Sequence, residues 1–212
     1  MAPHSGESPA SPSAEEGREE SPDNAAWVDI DLPQPAHEMA AYLRDVERLL
    51  RLNPHLEFRR IAAVPGGFEL EALNEMNGRA VSQRLTFRKI GPWSFALDCD
   101  RGLKQSIEVT VKARGAGSRL RILEAYRQPQ NDAELAEIDR SLTPWGQSLR
   151  RHFVGLARWG RLPGYRWWHE RIWPNMRPRE RRIVRLIAWI AVLEFAFFLL
   201  VLAVYVAEAA RT

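Results

Sequence analysis

The chain has almost no cysteine, and its first 26 residues have almost no large apolar side chain. The single Cys99 excludes an intramolecular disulfide and is typical of a protein kept in a reducing compartment. Residues 1–26 are rich in Ser, Pro, Glu and Ala and cannot bury enough surface to offset the entropy of ordering, so a disordered acidic arm is expected. The arm also lacks the apolar core of a secretory signal peptide, which predicts that no leader is cleaved.

The sequence also lacks the common signatures of catalysis and metal binding. It contains no Gly-rich phosphate loop, no H-E-x-x-H pair and no nucleophile elbow. His37, His55 and His169 have no further ligands at a spacing that suits a metal. We therefore predict no metal and no cofactor. The net charge of +3 comes from a basic segment beside a long apolar stretch, which indicates attraction to membrane lipids and no binding of nucleic acid.

One long apolar segment is present near the C-terminus, with its core between Leu186 and Val206. About 20 apolar residues match the hydrocarbon core of a bilayer, and a helix is the single segment that satisfies its own backbone there. We predict one transmembrane helix over residues 183–207, followed by a short tail, residues 208–212. A buried core helix is the alternative. Glu194 is the only charge within the core of the segment, and it predicts either homo-oligomerisation through this helix or a lone protonated acid.

Charge on the two sides of this segment predicts its orientation. Five arginines precede it (Arg177, Arg179, Arg181, Arg182 and Arg185), and only Glu208 and Arg211 follow it. Basic residues favour the cytoplasmic side, so we expect a single-pass, tail-anchored protein with a cytoplasmic N-terminal domain. Residues 161–182 form a basic and aromatic juxtamembrane segment. Its aromatic residues are expected either at the level of the lipid headgroups or packed on the domain: Tyr165, Trp167, Trp168 and Trp173.

Residues 27–160 amount to one domain. Val28, Ile30 and Leu32 alternate with polar residues and predict a strand, and a helical pattern then runs from Pro35 to Asn53-Pro54. Six further strands are predicted over residues 56–64, 68–76, 79–89, 93–97, 105–113 and 118–126. Thr143-Pro144 predicts the first turn of a C-terminal helix that covers the sheet.

The turns predict the pairing of these strands. A two-residue turn at Asn77-Gly78 would pair Leu70 with Leu85, and one at Ala116-Gly117 would pair Val109 with Glu124. Both registers put apolar residues on a common face, as expected of an antiparallel sheet with one covered and one solvated face.

Four local sequences resemble the START-related helix-grip superfamily (SRPBCC), which includes polyketide cyclase-like and coenzyme Q-binding proteins. They are Val28-Asp29-Ile30, Pro35-Ala36-His37-Glu38, Leu43-Arg44-Asp45-Val46-Glu47 and Asn53-Pro54-His55. The resemblance covers Trp27 to about Gly160. It implies an α+β helix-grip fold, in which an antiparallel sheet wraps around a long C-terminal helix. It also implies a deep apolar cavity between sheet and helix and a binding or carrying role.

The inner face of the predicted sheet supplies the candidate ligand site. Its polar exceptions are Asn74, Gln83, Glu124 and Arg59, which either anchor a ligand or reach water at the strand ends. A buried Glu124 needs a partner, and His152 of the C-terminal helix could supply either a structural hydrogen bond or acid–base chemistry. The predicted ligand-binding residues are Glu124, His152, Gln83, Asn74, Tyr126, Leu85, Phe87, Val109 and Phe153.

Together these features predict a membrane-tethered protein that binds or carries a hydrophobic small molecule such as a lipid, quinone, polyketide or isoprenoid. Two alternatives stay open from the sequence. One is a cyclase- or aromatase-like enzyme that acts on such a molecule. The other is a membrane adaptor whose cavity is filled by its own side chains.

Overall fold

Seven strands form one antiparallel sheet in the order β1-β7-β6-β5-β4-β3-β2 in the computed structural model, which describes residues 24–128 and 132–210, without the side chains of residues 132–141. The strands are β1 Ala25–Leu32, β2 Leu56–Val64, β3 Gly67–Asn74, β4 Arg79–Gly91, β5 Ser94–Cys99, β6 Lys104–Arg114 and β7 Gly117–Tyr126. The α+β helix-grip fold and all seven predicted strands are confirmed. Most of the predicted acidic arm, residues 1–23, lies outside the described residues.

The strand faces agree with the prediction, but both hairpin registers differ from it by two residues. Leu70 pairs with Gln83, and Val109 pairs with Ile122. The first loop spans residues 75–78, where the amide of Gly78 donates to the carbonyl of Asn74 at 2.8 Å. A shift of two residues keeps every side chain on its own face, so burial of one face does not exclude it.

Two short helices, α1 (Ala36–Tyr42) and α2 (Val46–Arg51), replace the single helix predicted between Pro35 and Asn53. Asp45 separates them, because its carboxylate accepts a 3.0 Å hydrogen bond from the amide of Arg48 and caps α2. Met39 of α1 and Leu49 of α2 are fully buried against the sheet. The apolar pattern thus continues through a break in the helix.

The C-terminal helix of the domain, α3 (Asp132–Trp159), starts well before the predicted Thr143-Pro144 turn. Pro144 lies inside it, although an interior proline removes a helical hydrogen bond. Trp145, Leu149 and Phe153 are buried on the inner face of the sheet, so tertiary packing overrides the local signal. At Gly146 an added Cβ would lie 2.9 Å from Cγ2 of Val28, which shows how closely α3 approaches β1.

The juxtamembrane segment folds as short helical turns: α4 (Tyr165–Trp167), a π-helical turn (Trp168–Ile172) and a 3-10 turn (Trp173–Asn175). Helix α5 (Pro178–Ala209) then contains the whole predicted span. By length and composition it is the one helix among the described residues that could cross a membrane, and its apolar window is 0% buried.

Arg181 fixes the start of α5 to the domain. The residue is only 5% exposed, and its guanidinium donates to the backbone carbonyls of Arg51 at 2.7 Å, Pro174 at 2.9 Å and Met176 at 3.0 Å. These bonds to three carbonyls compensate for the burial of the charge. The base of α5 therefore has a defined position on the domain.

Candidate ligand-binding site

A cavity of about 340 Å³ opens on the inner face of the sheet and is called the sheet cavity here. Its apolar wall comes from α2 and from four strands: Leu50, Phe58, Leu70, Val81, Leu85 and Ile107. No described side chain of α3 lines it, because Trp145, Leu149 and Phe153 fill the other part of the inner face. The size and the lining are typical of a pocket for a small apolar molecule.

Polar side chains lie among the apolar ones, and five of them come from strand positions: Asn74, Arg79, Gln83, Lys104 and Tyr126. The Asn74 side chain shapes the loop after β3, because its Oδ1 accepts from the amide of Met76 at 3.0 Å. Nε2 of Gln83 lies 4.0 Å from Sγ of Cys99, which is a weak acceptor. The amide of Gln83 thus keeps capacity to bind a polar group of a ligand.

Glu124 is 1% exposed and forms a cluster with the buried Tyr126 and the partly exposed Lys104. Nζ of Lys104 lies 2.5 Å from Oε1 of the Glu124 carboxylate, and the Tyr126 hydroxyl donates to Oε2. The ammonium group also lies 5.8 Å from the centroid of the Tyr126 ring. Lys104 therefore balances the negative charge of the Glu124 carboxylate. Lys104 and Tyr126 line the cavity and present polar groups to it.

A β-bulge explains why the sequence did not predict Lys104. Strict alternation along β6 would place Lys104 on the same face as Glu108, away from Ile107. The register between β6 and β7 shifts between Lys104 and Ser106, so that Lys104 pairs with Tyr126 while Ile107 pairs with Glu124. The extra residue at the bulge moves the side chain of Lys104 to the opposite face of the sheet. No local signal in the sequence marks the bulge.

The predicted partnership between Glu124 and His152 is wrong. Nε2 of His152 faces the Tyr42 hydroxyl at 3.4 Å, and its ring stacks on His169 at a centroid distance of 4.5 Å. His152 lines a second cavity, on the side of α3 that faces the base of α5. Glu124 already has Lys104 and Tyr126 within hydrogen-bonding distance, and α3 turns His152 away from it.

Four of the other predicted ligand residues line the sheet cavity, and three do not. Asn74, Gln83, Leu85 and Tyr126 line the sheet cavity. Val109 and Phe153 are core residues with 0% and 2% exposure and do not line it. Phe87, further along β4, is 41% exposed, and its ring stacks on that of Phe95 at a centroid distance of 5.4 Å. Arg59 is exposed beside the bulge in β2, so it does not lie on the inner face.

The thiol of Cys99, which lies behind Gln83, is held in its protonated form. Burial raises the pKa of Cys99 to about 11, an effect that nearby Lys104 opposes. At neutral pH the side chain is therefore a thiol, and the thiolate is the reactive form. Within the two described ranges, no group of three or more His, Cys, Asp or Glu residues could hold a metal ion.

The fold is that of START-like proteins. A START superfamily protein from Mycobacterium smegmatis superimposes with a TM-score of 0.50 at 12% identity, over 62% of this chain and 98% of that protein. The Zhui aromatase/cyclase from Streptomyces gives 0.51 at 13% identity, over 66% and 98%. The protein XoxI from Bacillus cereus gives 0.50 at 10%, over 63% and 98%. No protein-family model and no curated protein sequence matches the chain.

Proposed function

We propose that the chain, on its START-like fold, is a membrane-anchored protein that binds or carries a hydrophobic small molecule in the sheet cavity. The observation that carries this proposal is the combination of an apolar wall with a neutralised polar cluster at its edge. Leu70, Val81 and Leu85 offer apolar surface, while Lys104 and Tyr126 can orient one polar end of a ligand. The ligand classes that fit are a lipid, quinone, polyketide or isoprenoid, each of which combines an apolar body with few polar atoms.

Membrane anchorage by α5 is part of the proposal. Its side chains from Leu186 to Val206 are exposed, and a helix that is apolar on all sides needs an apolar environment. The arginines before the span favour a cytoplasmic domain. A ligand that dissolves in the bilayer would then be concentrated within reach of the sheet cavity.

Mass spectrometry of the full chain tests the binding role. The protein is purified in a mild detergent, extracted with organic solvent, and the extract is compared with that of the Val81→Trp variant. A molecule held in the sheet cavity should be present in the wild type and depleted in the variant, whereas lipid bound around α5 should be equal in both. Equal extracts would contradict the binding role and favour an adaptor without ligand.

A cyclase-like reaction is the second candidate, and the Lys104, Glu124 and Tyr126 cluster is the feature that favours it. A lysine and a tyrosine hydroxyl beside a carboxylate can move protons on a bound carbonyl compound. Conversion of the extracted molecule into a product by the wild type, and its loss in Glu124→Gln with binding retained, would support the enzyme over the carrier.

A further inference from the structure

The second cavity, of about 470 Å³, lies where α3, the juxtamembrane turns and the base of α5 meet, and is called the anchor-side cavity here. It differs in chemistry from the sheet cavity. Four arginines and three histidines line it, and none of the lining residues described is acidic. A cavity lined by cations without carboxylates favours an anionic occupant.

The four arginines are not equivalent. Arg181 is engaged with three backbone carbonyls, and Arg182 pairs with the Glu75 carboxylate at 2.5 Å. Arg185 donates only its Nε, to the carbonyl of Arg181 at 3.2 Å. Arg151 has no hydrogen bond or ion pair with any described residue. Arg151 and Arg185 therefore retain guanidinium donors that can bind an anion in two-point geometry.

Two buried histidines add unpaired nitrogen atoms to the same cavity. His152 and His169 are 2% and 8% exposed; Nδ1 of His152 has no hydrogen-bond partner among the described residues, and the His169 ring has none beyond the backbone of His152. Burial lowers the pKa of His152 to about 3, so at neutral pH its ring is uncharged and carries one N–H donor. Buried nitrogens without partners are uncommon in folded proteins, and a bound group that accepts from them would satisfy them.

The π-helical turn brings His169 into this position. The ring of His169 lies between those of His152, at 4.5 Å, and Tyr165, at 5.1 Å. A π-helical turn is rare and is frequently found at functional sites. Gly155 of α3 leaves room for this stack, because an added Cβ would lie 3.0 Å from the Tyr165 hydroxyl.

The source of the anion follows from the position of the cavity along α5. Val184 and Ala188, on the first turns of the predicted span, line it together with the arginines. If α5 spans the membrane, this is the level at which apolar helix gives way to lipid headgroups. An occupant with a phosphate beside an acyl chain would meet both surfaces.

We propose that the anchor-side cavity binds the phosphate of an anionic membrane phospholipid, held by Arg151 and Arg185 and by ring N–H groups of His152 and His169. The acyl chains then leave along the side of α5 that carries Val184 and Ala188. This inference rests on the proposed membrane anchorage. It does not depend on a ligand in the sheet cavity.

Native mass spectrometry of the full chain released from detergent tests the proposal. The protein is titrated with phosphatidic acid, with phosphatidylglycerol and with zwitterionic phosphatidylcholine, as wild type and as the Arg151→Gln/Arg185→Gln double variant. The control is the Arg150→Gln/Arg179→Gln double variant, which removes the same charge from exposed arginines outside the cavity. We expect the wild type and the control to bind the anionic lipids at least tenfold more tightly than phosphatidylcholine, and the test variant to lose that preference.

A second variant and a soluble competitor complete the test. His152→Phe keeps an aromatic ring and removes the nitrogens, and it should weaken the binding of phosphatidic acid severalfold while the protein stays folded, at the cost of the contact between Nε2 and the Tyr42 hydroxyl. Equal loss in the test and control variants, or no preference in the wild type, would overturn the proposal. If millimolar glycerol phosphate displaces bound lipid and the wild type shows no preference for anionic lipid, the cavity binds a soluble phosphate compound. That result would also overturn the phospholipid proposal.

Membrane fractionation distinguishes a failure of the proposed membrane anchorage from a failure of the phospholipid proposal. If the wild type leaves the membrane fraction in alkaline carbonate, the membrane proposal itself is wrong, and this inference is wrong with it. If the wild type stays in the membrane but shows no lipid preference, only the anchor-side inference is wrong.

Discussion

The ammonium group of Lys104 lies 2.5 Å from the buried carboxylate of Glu124, and the pair spans adjacent strands at the edge of the sheet cavity. The side chain of Lys104 is 24% exposed and that of Glu124 only 1%. Removing one partner therefore has an asymmetric effect. Without Glu124, the ammonium group of Lys104 can still be hydrated. Without Lys104, the Glu124 carboxylate stays buried and loses the cation beside it.

Substitution of Lys104 by Met should destabilise the domain more than substitution of Glu124 by Gln. The first leaves a buried carboxylate without its cation, which typically costs about 3–5 kcal/mol in the free energy of unfolding. The second keeps an acceptor for the Tyr126 hydroxyl and should cost about 1–2 kcal/mol. The Lys104→Met/Glu124→Gln double variant should recover stability, and chemical unfolding of the four proteins measures the coupling. Additive losses would show that the pair is not coupled.

Substitution of Val81 by Trp should fill the sheet cavity and weaken ligand binding at least tenfold. Val81 lines the cavity and is not completely buried, so the larger ring occupies ligand space with less overpacking than at a core position such as Val109. Thr86→Trp, on the exposed face of the same strand, is the control. Ligand content by mass spectrometry and the unfolding temperature are measured for both. Unchanged ligand content in Val81→Trp would place the ligand elsewhere.

Stability should fall as the pH is lowered below about 6.5, because of His152. Burial lowers its pKa from the ordinary 6.5 to about 3, so between these values the unfolded state binds a proton that the folded state does not. The free energy of unfolding should then decrease by up to about 1.4 kcal/mol per pH unit for this group. Burial also lowers the pKa of His169, which acts in the same direction.

Protonation of the carboxylates changes the free energy of unfolding in a lower pH range. Hydrogen bonds from Arg119 and Arg114 lower the pKa of Asp31 to about 2, so its contribution is lost only as the pH falls below about 3.8. Urea unfolding between pH 7 and pH 4.5 should therefore report the histidines. His152→Gln should flatten the pH dependence, and His37→Gln, on the exposed face of α1, should not. Identical slopes for both variants would contradict the assignment.

Deletion of residues 183–212 should release the domain from the membrane fraction, because it removes the apolar part of α5 while Arg181 keeps its carbonyl partners. Protease added to intact cells should leave the full-length domain uncut if the domain is cytoplasmic. Permeabilised cells serve as the control for protease activity. Digestion in intact cells would reverse the orientation.

Glu194 near the middle of α5 should influence self-association. An ionisable group there is costly to bury in lipid and is stabilised by a partner helix. Glu194→Leu should reduce crosslinked dimers in membranes, with Glu208→Leu, at the end of the helix, as the control. An unchanged crosslinking yield would indicate that Glu194 is carried as a lone protonated acid.

The strands, their faces and the long apolar helix could be predicted because each depends on local periodicity. Alternation in β6 and β7 places Val109 and Ile122 inward whatever their neighbours are. The same periodicity cannot detect a slip of two residues, so the hairpin registers were wrong while the faces were right. The loop after Asn74 and the turn at Gly115, whose φ is +56°, settle the register through backbone geometry.

Only the tertiary structure decided which polar residues meet. A bulge turns Lys104 inward to Glu124, and packing of α3 on β1 keeps Pro144 within the helix and directs His152 toward His169. These positions depend on contacts between residues that are distant in the chain, whose free energies outweigh local propensities of about 1–3 kcal/mol. The amino-acid sequence alone determined an apolar inner face, a basic flank and a membrane-length helix, because hydrophobicity and charge are properties of the residues themselves.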